Sequence, residues 1–384
     1  MTERRFDIAI LGLGAMGSAA AAECAARGAE VVGFEQFDFA HDRSSSHGES
    51  RIVRLAYFEH PDYVPLLRRA LDGWLRLNAA SDQPLFHSCG GLWLGEPDHP
   101  MIAGSRRAAR THGLAYELLN ADAIEDRFAP LQVPRGRIGF YESLAGAARP
   151  ERTVRHLIAR ASADGAILHE RTAVHGWHRE TDGLAIETDR GHIRASRLIV
   201  TAGPWTARLL RNLGVPLVVT RQTTAWFHVE REAERFHPAR FPCWALARDD
   251  SSFFYGFPVL STPPSLKVSI HAPMSPTDPD CVDRTMQRHE VDELRHGLST
   301  ILPEMGDAGL TRTSVCLYTN TPDGHFVIDV LQDDPRIVVA CGFSGHGFKF
   351  TPVVGEILAD LALDGGTKLP IAFLSRRRFP VAPA

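Results

Sequence analysis

Long apolar runs are missing from this 384-residue sequence. No stretch of about 18 or more apolar residues is free of charge, so no helix is expected to cross a bilayer. A surplus of positive charge is missing too. Lysine plus arginine is 42 and aspartate plus glutamate is 46, a net charge of −4. That balance argues against a nucleic-acid footprint and against a polybasic membrane anchor. Cysteine is sparse: Cys24, Cys89, Cys243, Cys281, Cys316 and Cys341 form no CxxC pair. Zinc ribbons and thioredoxin-type chemistry are therefore not expected, nor is any metal site, and a reducing compartment is the simplest reading. There is no internal repeat and no low-complexity tract. The opening residues, MTERRFD, hold no apolar export core before the first strand, so a cytoplasmic protein is expected.

What is present is an ordinary globular composition, 44% hydrophobic and 23% charged. A chain of this length can bury a large core without metal or disulfide staples, in two or three domains. The run Phe6–Leu11 (FDIAIL) reads as a buried strand, followed by Gly12-Leu13-Gly14-Ala15-Met16-Gly17 and a helical stretch through Ala19–Ala26. A second strand, Glu30–Phe34, ends at Glu35. Strand, glycine turn, helix and strand within about 30 residues make a parallel βαβ unit. In GxGxxG one glycine makes the tight turn, one lets backbone reach a pyrophosphate, and one lets helix and strand pack closely. The helix start offers N–H groups to phosphate, and a carboxylate at Glu35 can accept from ribose hydroxyls. The motif binds a dinucleotide without distinguishing FAD from NAD.

A second glycine cluster, Cys341-Gly342-Phe343-Ser344-Gly345-His346-Gly347-Phe348-Lys349-Phe350, precedes a helix expected from Thr351 or Pro352 to Leu363. It favours FAD, because a helix start can set N–H dipoles against an electron-rich ring that gains negative charge on reduction. Between the clusters, residues 37–51 form a polar, turn-rich loop, and helices are expected at Val64–Leu77 and Thr153–Ala163. Strands are expected at Gly90–Gly95, Ala166–Leu168, Leu184–Thr188, Arg197–Thr201, Thr223–Val229, Ser252–Phe257, Leu266–Ile270 and Arg336–Ala340. The mixture points to an α/β nucleotide domain interrupted by insertions that build an antiparallel sheet.

GLGAMGS (12–18), SSSHGESRIVRLAY (44–57), YGFP (255–258), CLYTNTPDGHFVIDV (316–330) and GFSGHGFKF (342–350) together resemble the monomeric sarcosine oxidase and N-methyltryptophan oxidase family of FAD-dependent amine oxidases. The resemblance spans nearly the whole chain. It implies an α/β and α+β protein: a glutathione-reductase-like FAD-binding domain and a substrate domain built on a mixed, largely antiparallel β-sheet. The expected division is 1–86, 149–219 and 321–384 for FAD, and 87–148 and 220–320 for the substrate. The implied cofactor contacts are Gly12, Gly14, Met16, Gly17, Glu35 and Ser45, then Arg51, Val174 and Gly203, and finally Gly342, Gly345, Gly347 and Lys349. Cys316 would tether the flavin through its 8α-methyl group.

The resemblance also implies the substrate machinery. Arg51 and Arg54 match two arginines of the family, the first over the flavin and the second on the substrate carboxylate, although Ser50 replaces the usual threonine. Their spacing of three suits a helical turn or a short irregular segment. Guanidinium fits that role through its planar donor fork. Lys349 would complete the clamp. Tyr255, His271, Tyr318 and Gly345 match positions around the amine and the flavin. Lys267 would stand near flavin N5, where a cation stabilises the charge formed as reduced flavin meets oxygen. Leu246 stands where related oxidases carry methionine, and the loop before Lys267 (Ser261–Ser265) is proline-rich. Both border the substrate pocket. The implied reaction passes a hydride equivalent from an N-methyl amino acid, sarcosine first, to flavin N5, with oxygen as acceptor. A bulkier or cyclic substrate such as N-methyltryptophan or pipecolate, or a dehydrogenase using another acceptor, stays open. A monomer with no nucleic-acid or membrane partner is expected.

Overall fold

The computed structural model describes residues 5–210, 213–250, 252–272 and 274–379. Apolar residues at nearly every position make Arg5–Leu11 and Val31–Phe34 adjacent central strands, as a sheet covered on both faces requires. The sheet runs Val174–Glu180, Gly183–Thr188, Gly191–Val200, Arg5–Leu11, Val31–Phe34, Ile167–His169, and Ile337–Cys341 adds parallel to the end of Gly191–Val200. Between the first two chain strands lies the helix Ala15–Ala26, whose alanines and glycines let backbone approach backbone. Gly12 has φ +85°, and a Cβ there would stand 2.6 Å from the Thr201 carbonyl oxygen. A Cβ on Gly17 would fall 1.8 Å from the Gly12 carbonyl oxygen. Backbone cannot yield as a side-chain tip can, so Gly17→Ala should destabilise by at least the ~1–3 kcal/mol typical of overpacking. Denaturant unfolding should show an earlier midpoint, and the purified variant should carry less flavin.

The helices Pro150–Ala163 and Thr351–Leu363 pack against Ala15–Ala26 in one core. Both begin with proline in the first turn, where its missing N–H costs nothing.

A second sheet runs Leu310–Asn320, Val218–His228, Ser265–His271, Phe253–Gly256, Cys243–Ala247, Gly91–Gly95, Ile138–Glu142, Glu117–Leu119, antiparallel except where Cys243–Ala247 meets Gly91–Gly95. Period-two alternation sorts its residues. Ala225, Phe227, Leu246, Phe254, Leu266, Val268 and Ile270 join Leu294, Leu298 and Ile301 of the helix Arg288–Ile301 in a second core. Gln222, Thr224, Ala245, Tyr255, Ser269, His271, Cys316 and Tyr318 take the other face and line a cavity. A third, small sheet joins Arg51–Val53, Gly146–Ala148 and Phe86–His87.

Several expectations need correction. Arg51 lies in a strand, in neither a helical turn nor an irregular segment, because its backbone pairs with Ala148. The helices Pro100–His112 and Arg288–Ile301 were not anticipated: the first buries Met101, Ile102, Ala108 and Ala109 with small residues between them, and the second buries only Leu294, Gly297, Leu298 and Ile301 among charged neighbours. Val218–His228 begins five residues before Thr223, in a polar stretch held by pairing with Leu310–Asn320. Among the described residues no helix is long and apolar enough to cross a membrane.

Candidate active site

A cavity of about 390 Å³ opens along the carboxyl ends of the first sheet. Gly12, Gly14, Met16, Glu35, Ser45, Arg51, Val174, Gly203, Gly342, Gly345 and Gly347 all line it. The carboxylate of Glu35 accepts from the Leu13 and Phe37 amides at 3.1 Å each. It therefore fixes the glycine turn from the cavity wall, with His41 Nε2 3.4 Å from one of its oxygens. Gly14 leaves open space, with the nearest atom to a would-be Cβ being Ser46 Oγ at 3.5 Å. At the other end a Cβ on Gly345 would lie 2.2 Å from the Tyr318 ring. Thr319, also in the wall, keeps a buried hydroxyl with no partner among the described residues. A long cavity with an open phosphate turn, a carboxylate and an unanswered polar atom fits a bound dinucleotide. Gly17 departs from expectation: it does not line the cavity, and its part is helix packing.

A smaller cavity of about 70 Å³ adjoins the first and shares Arg51, Tyr318, Gly345 and Phe348 with it. Cys316 belongs to this second wall, beside Arg51, whose Nη2 donates to Sγ at 3.4 Å. Burial pushes the Cys316 thiol up, but His47, Arg51 and Lys267 together more than offset it, leaving the pKa at about 6. Thiolate at neutral pH is the nucleophilic form. The loop carrying these contacts is clamped by Glu151, which accepts from the Gly48 amide at 2.6 Å and the Glu49 amide at 3.0 Å. Gly48 is a junction no motif singles out: a Cβ there would stand 3.5 Å from Arg51 Nη1 and 3.8 Å from both Cys316 Sγ and Lys267 Nζ.

Lys267 is buried in a central strand, over the rings of Phe257 at 4.7 Å and Trp226 at 5.6 Å. Its Nζ donates to the Gly48 and Ser50 carbonyls at 2.7 Å each. Burial, then the Arg51 charge, holds its pKa well below that of an ordinary lysine. Lys267 lines neither cavity; it stands one backbone layer behind the Arg51–Cys316 junction.

The smaller cavity gathers two buried cations. The Arg54 guanidinium lies between the rings of Tyr57 and Phe58, each 4.3 Å from Cζ, and its Nη2 donates to both Glu59 oxygens at 2.5 and 2.6 Å. Burial would raise the Glu59 carboxyl, but Arg54, His346 and Lys349 together more than offset it, bringing the pKa to about 2. Lys349 Nζ donates to the His346 carbonyl at 2.7 Å, and burial with the nearby Arg54 lowers its pKa to about 7. His271 stacks on Phe253 at 4.8 Å with Nδ1 3.4 Å from the Tyr318 hydroxyl. Burial lowers its pKa to about 4, so it is neutral at pH 7. Burial raises the Tyr318 hydroxyl well above the usual phenol value, and Tyr255 adds to this.

Arg54, Tyr255, His271, Cys316, Tyr318, Gly345 and Lys349 thus meet in one wall, with Arg51 joining the two cavities. Lys349 reaches only the smaller one. Leu246 does not reach the pocket: as the odd-and-even alternation of its strand dictates, it packs in the far core, and Ala245 takes the wall. Glu59 was not anticipated as the partner of Arg54. A lone carboxylate five residues after it, in an otherwise apolar segment, was the available signal.

The geometry has close counterparts. The family model described as FAD dependent oxidoreductase matches residues 7–361. Monomeric sarcosine oxidase from Streptomyces avermitilis is 39% identical over 381 residues, 99% of each chain. N-methyl-L-tryptophan oxidase from Salmonella arizonae is 32% identical over 362 residues, 94% of this chain and 95% of the relative. The structure of NikD, an unusual amino acid oxidase essential for nikkomycin biosynthesis, aligns with a TM-score of 0.83 at 28% identity, over 97% of this chain and 98% of that one. With a cavity that fits a dinucleotide joined to a cationic pocket, this chain belongs to the FAD-dependent oxidoreductases and, within them, to the group of monomeric sarcosine oxidases and N-methyltryptophan oxidases, flavoenzymes that act on CH–NH donors.

Proposed function

We propose that the protein oxidises small secondary N-methyl amino acids, sarcosine foremost, with oxygen as acceptor: sarcosine, oxygen and water give glycine, formaldehyde and hydrogen peroxide. The carrying observation is the pair of buried cations, Arg54 and Lys349, in a cavity of about 70 Å³ that opens onto the cofactor cavity. Bound FAD supplies the two-electron acceptor and, once reduced, the reaction with oxygen. The protein supplies orientation. Arg54 and Lys349 hold the carboxylate, which points the N-methyl end toward Arg51 and Tyr318, the residues shared with the cofactor cavity. Neutral His271, held between Phe253 and Tyr318, can accept a hydrogen bond from the amine without adding charge. Water then hydrolyses the imine product. Walls of Phe58, Trp93 and Phe253 around so small a space favour sarcosine or a compact cyclic imino acid over an indole. Oxygen uptake with sarcosine, pipecolate and N-methyltryptophan tests this, and no response to any of them would defeat the proposal.

Cys316 is the proposed anchor for the flavin. Cys316→Ser should leave flavin that departs on acid precipitation, whereas the wild-type band on a denaturing gel should fluoresce.

Lys349 sets a pH dependence. Its pKa near 7 in the free protein means that the cationic form, which attracts carboxylate, is nearly complete a unit or more below pH 7, half present at pH 7 and in decline above it. Binding of 2-furoate, a carboxylate without an amine, should weaken about tenfold per pH unit above pH 7 and be flat below, down to the acid's own titration. Lys349→Met should abolish that slope in a spectral titration.

A further inference from the structure

Behind the substrate wall lies a pair of thiols that the oxidation chemistry described above does not use. Cys243 opens the strand Cys243–Ala247, which carries Ala245, and its amide donates to the Gly90 carbonyl at 3.1 Å. Cys89 sits two residues before the strand Gly91–Gly95, which carries Trp93 and pairs in parallel with Cys243–Ala247. Gly90, at φ +77°, turns the chain between them, and a Cβ there would lie 2.6 Å from the Tyr141 hydroxyl. This turn folds Cys89 back so that its Sγ stands 3.7 Å from the Sγ of Cys243. Cys243 is fully buried with Phe257 and Ala147, while Cys89 is half-buried and keeps part of its surface exposed.

We propose that Cys89 and Cys243 are a peroxide-oxidisable dithiol that closes into a disulfide tying the two pocket-bearing strands together. The half-buried Cys89 is the attacking sulfur. The hydrogen bond with Cys243, helped by nearby amides, holds the Cys89 thiol below the ordinary thiol value, while burial pushes Cys243 well above it. The Cys89 thiolate attacks one oxygen of hydrogen peroxide, breaking the O–O bond and giving a sulfenic acid and hydroxide. Cys243 sulfur then displaces the sulfenic oxygen, which takes the Cys243 thiol proton and leaves as water, while the proton that Cys89 released on ionising neutralises the hydroxide. Two thiols and one peroxide give one disulfide and two waters. Bond formation brings the sulfurs from 3.7 Å to about 2.05 Å, a movement within reach of side-chain rotation at the half-buried Cys89. Phe257 packs in one cluster with Cys243 and has Lys267 Nζ 4.7 Å from its ring centroid, so on the proposed function the pair stands beside the region where peroxide would arise.

The test adds the oxidant from outside, so it does not depend on the amine-oxidase reading. The holoenzyme is exposed to hydrogen peroxide, alkylated, digested without reductant and mapped by mass spectrometry. The expected result is a Cys89–Cys243 cross-linked peptide, lighter than its two parts by two hydrogens and restored by dithiothreitol. In Cys243→Ser, Cys89 should instead stop at a sulfenic acid trapped by dimedone. Exposed Cys281 reports that oxidant was present. The proposal is overturned if Cys281 is oxidised while Cys89 and Cys243 are both recovered alkylated, or if Cys89 is over-oxidised in the wild type without linking to Cys243.

Discussion

Arg54→Ala should lower kcat/KM for sarcosine by roughly 30- to 4000-fold, because truncating one partner of a buried hydrogen-bonded charge pair costs ~2–5 kcal/mol. Two effects add. The substrate carboxylate loses the planar donor fork, and Glu59, now without Arg54, stays buried as an anion in the pocket that must receive another anion. Its pKa, about 2 beside Arg54, should rise, since burial is then opposed only by the weaker influence of His346 and Lys349. The loss should therefore be partly relieved at lower pH, as Glu59 takes up a proton. Arg54→Lys keeps the charge and loses the fork, so it should fall between wild type and alanine. Stopped-flow reduction under anaerobic conditions separates binding from chemistry. A variant with unchanged affinity for sarcosine would remove Arg54 from the clamp.

Lys267→Met should act on the other half-reaction. Reoxidation by oxygen should slow about 100- to 1000-fold, the loss usual when one preorganised electrostatic partner is removed, while reduction by sarcosine changes far less. The physical basis is a cation fixed by the Gly48 and Ser50 carbonyls and seated behind the Arg51–Cys316 junction, where it acts through a low-dielectric layer. Because Lys267 lines neither cavity, its influence must cross that junction. A second consequence follows at Cys316: without the Lys267 charge, one of the three influences that lower the thiol is gone, and flavin attachment should be slower. Double-mixing stopped flow reads both half-reactions. Slower reduction with normal reoxidation would reverse the assignment.

The cofactor half of the molecule was largely legible in the sequence. Strand, glycine turn, helix and Glu35 lie within one short segment, where local geometry decides the outcome, and the structure puts Gly12, Gly14, Met16 and Glu35 in one cavity wall. Arg54 and Lys349 were identified by resemblance, and the fold brings them together from far apart in the chain. What escaped reading was set by pairing across long separations. Gly48 and Lys267 meet over 219 residues, and no local pattern marks that glycine. Leu246 failed as a pocket residue by a single step: in a strand a one-residue shift exchanges the two faces, so Ala245 lines the site and Leu246 the core. The helices Pro100–His112 and Arg288–Ile301 were hidden because each buries few large apolar side chains, interleaved with small or charged residues.

Mixing the yellow protein with sarcosine in the absence of air, then admitting oxygen, addresses the substrate and the acceptor together. The flavin absorbance should bleach, then return in air with one peroxide formed for each formaldehyde. Absorbance that stays unchanged with sarcosine and with other N-methyl amino acids, or a bleached flavin that oxygen does not restore, would contradict the account.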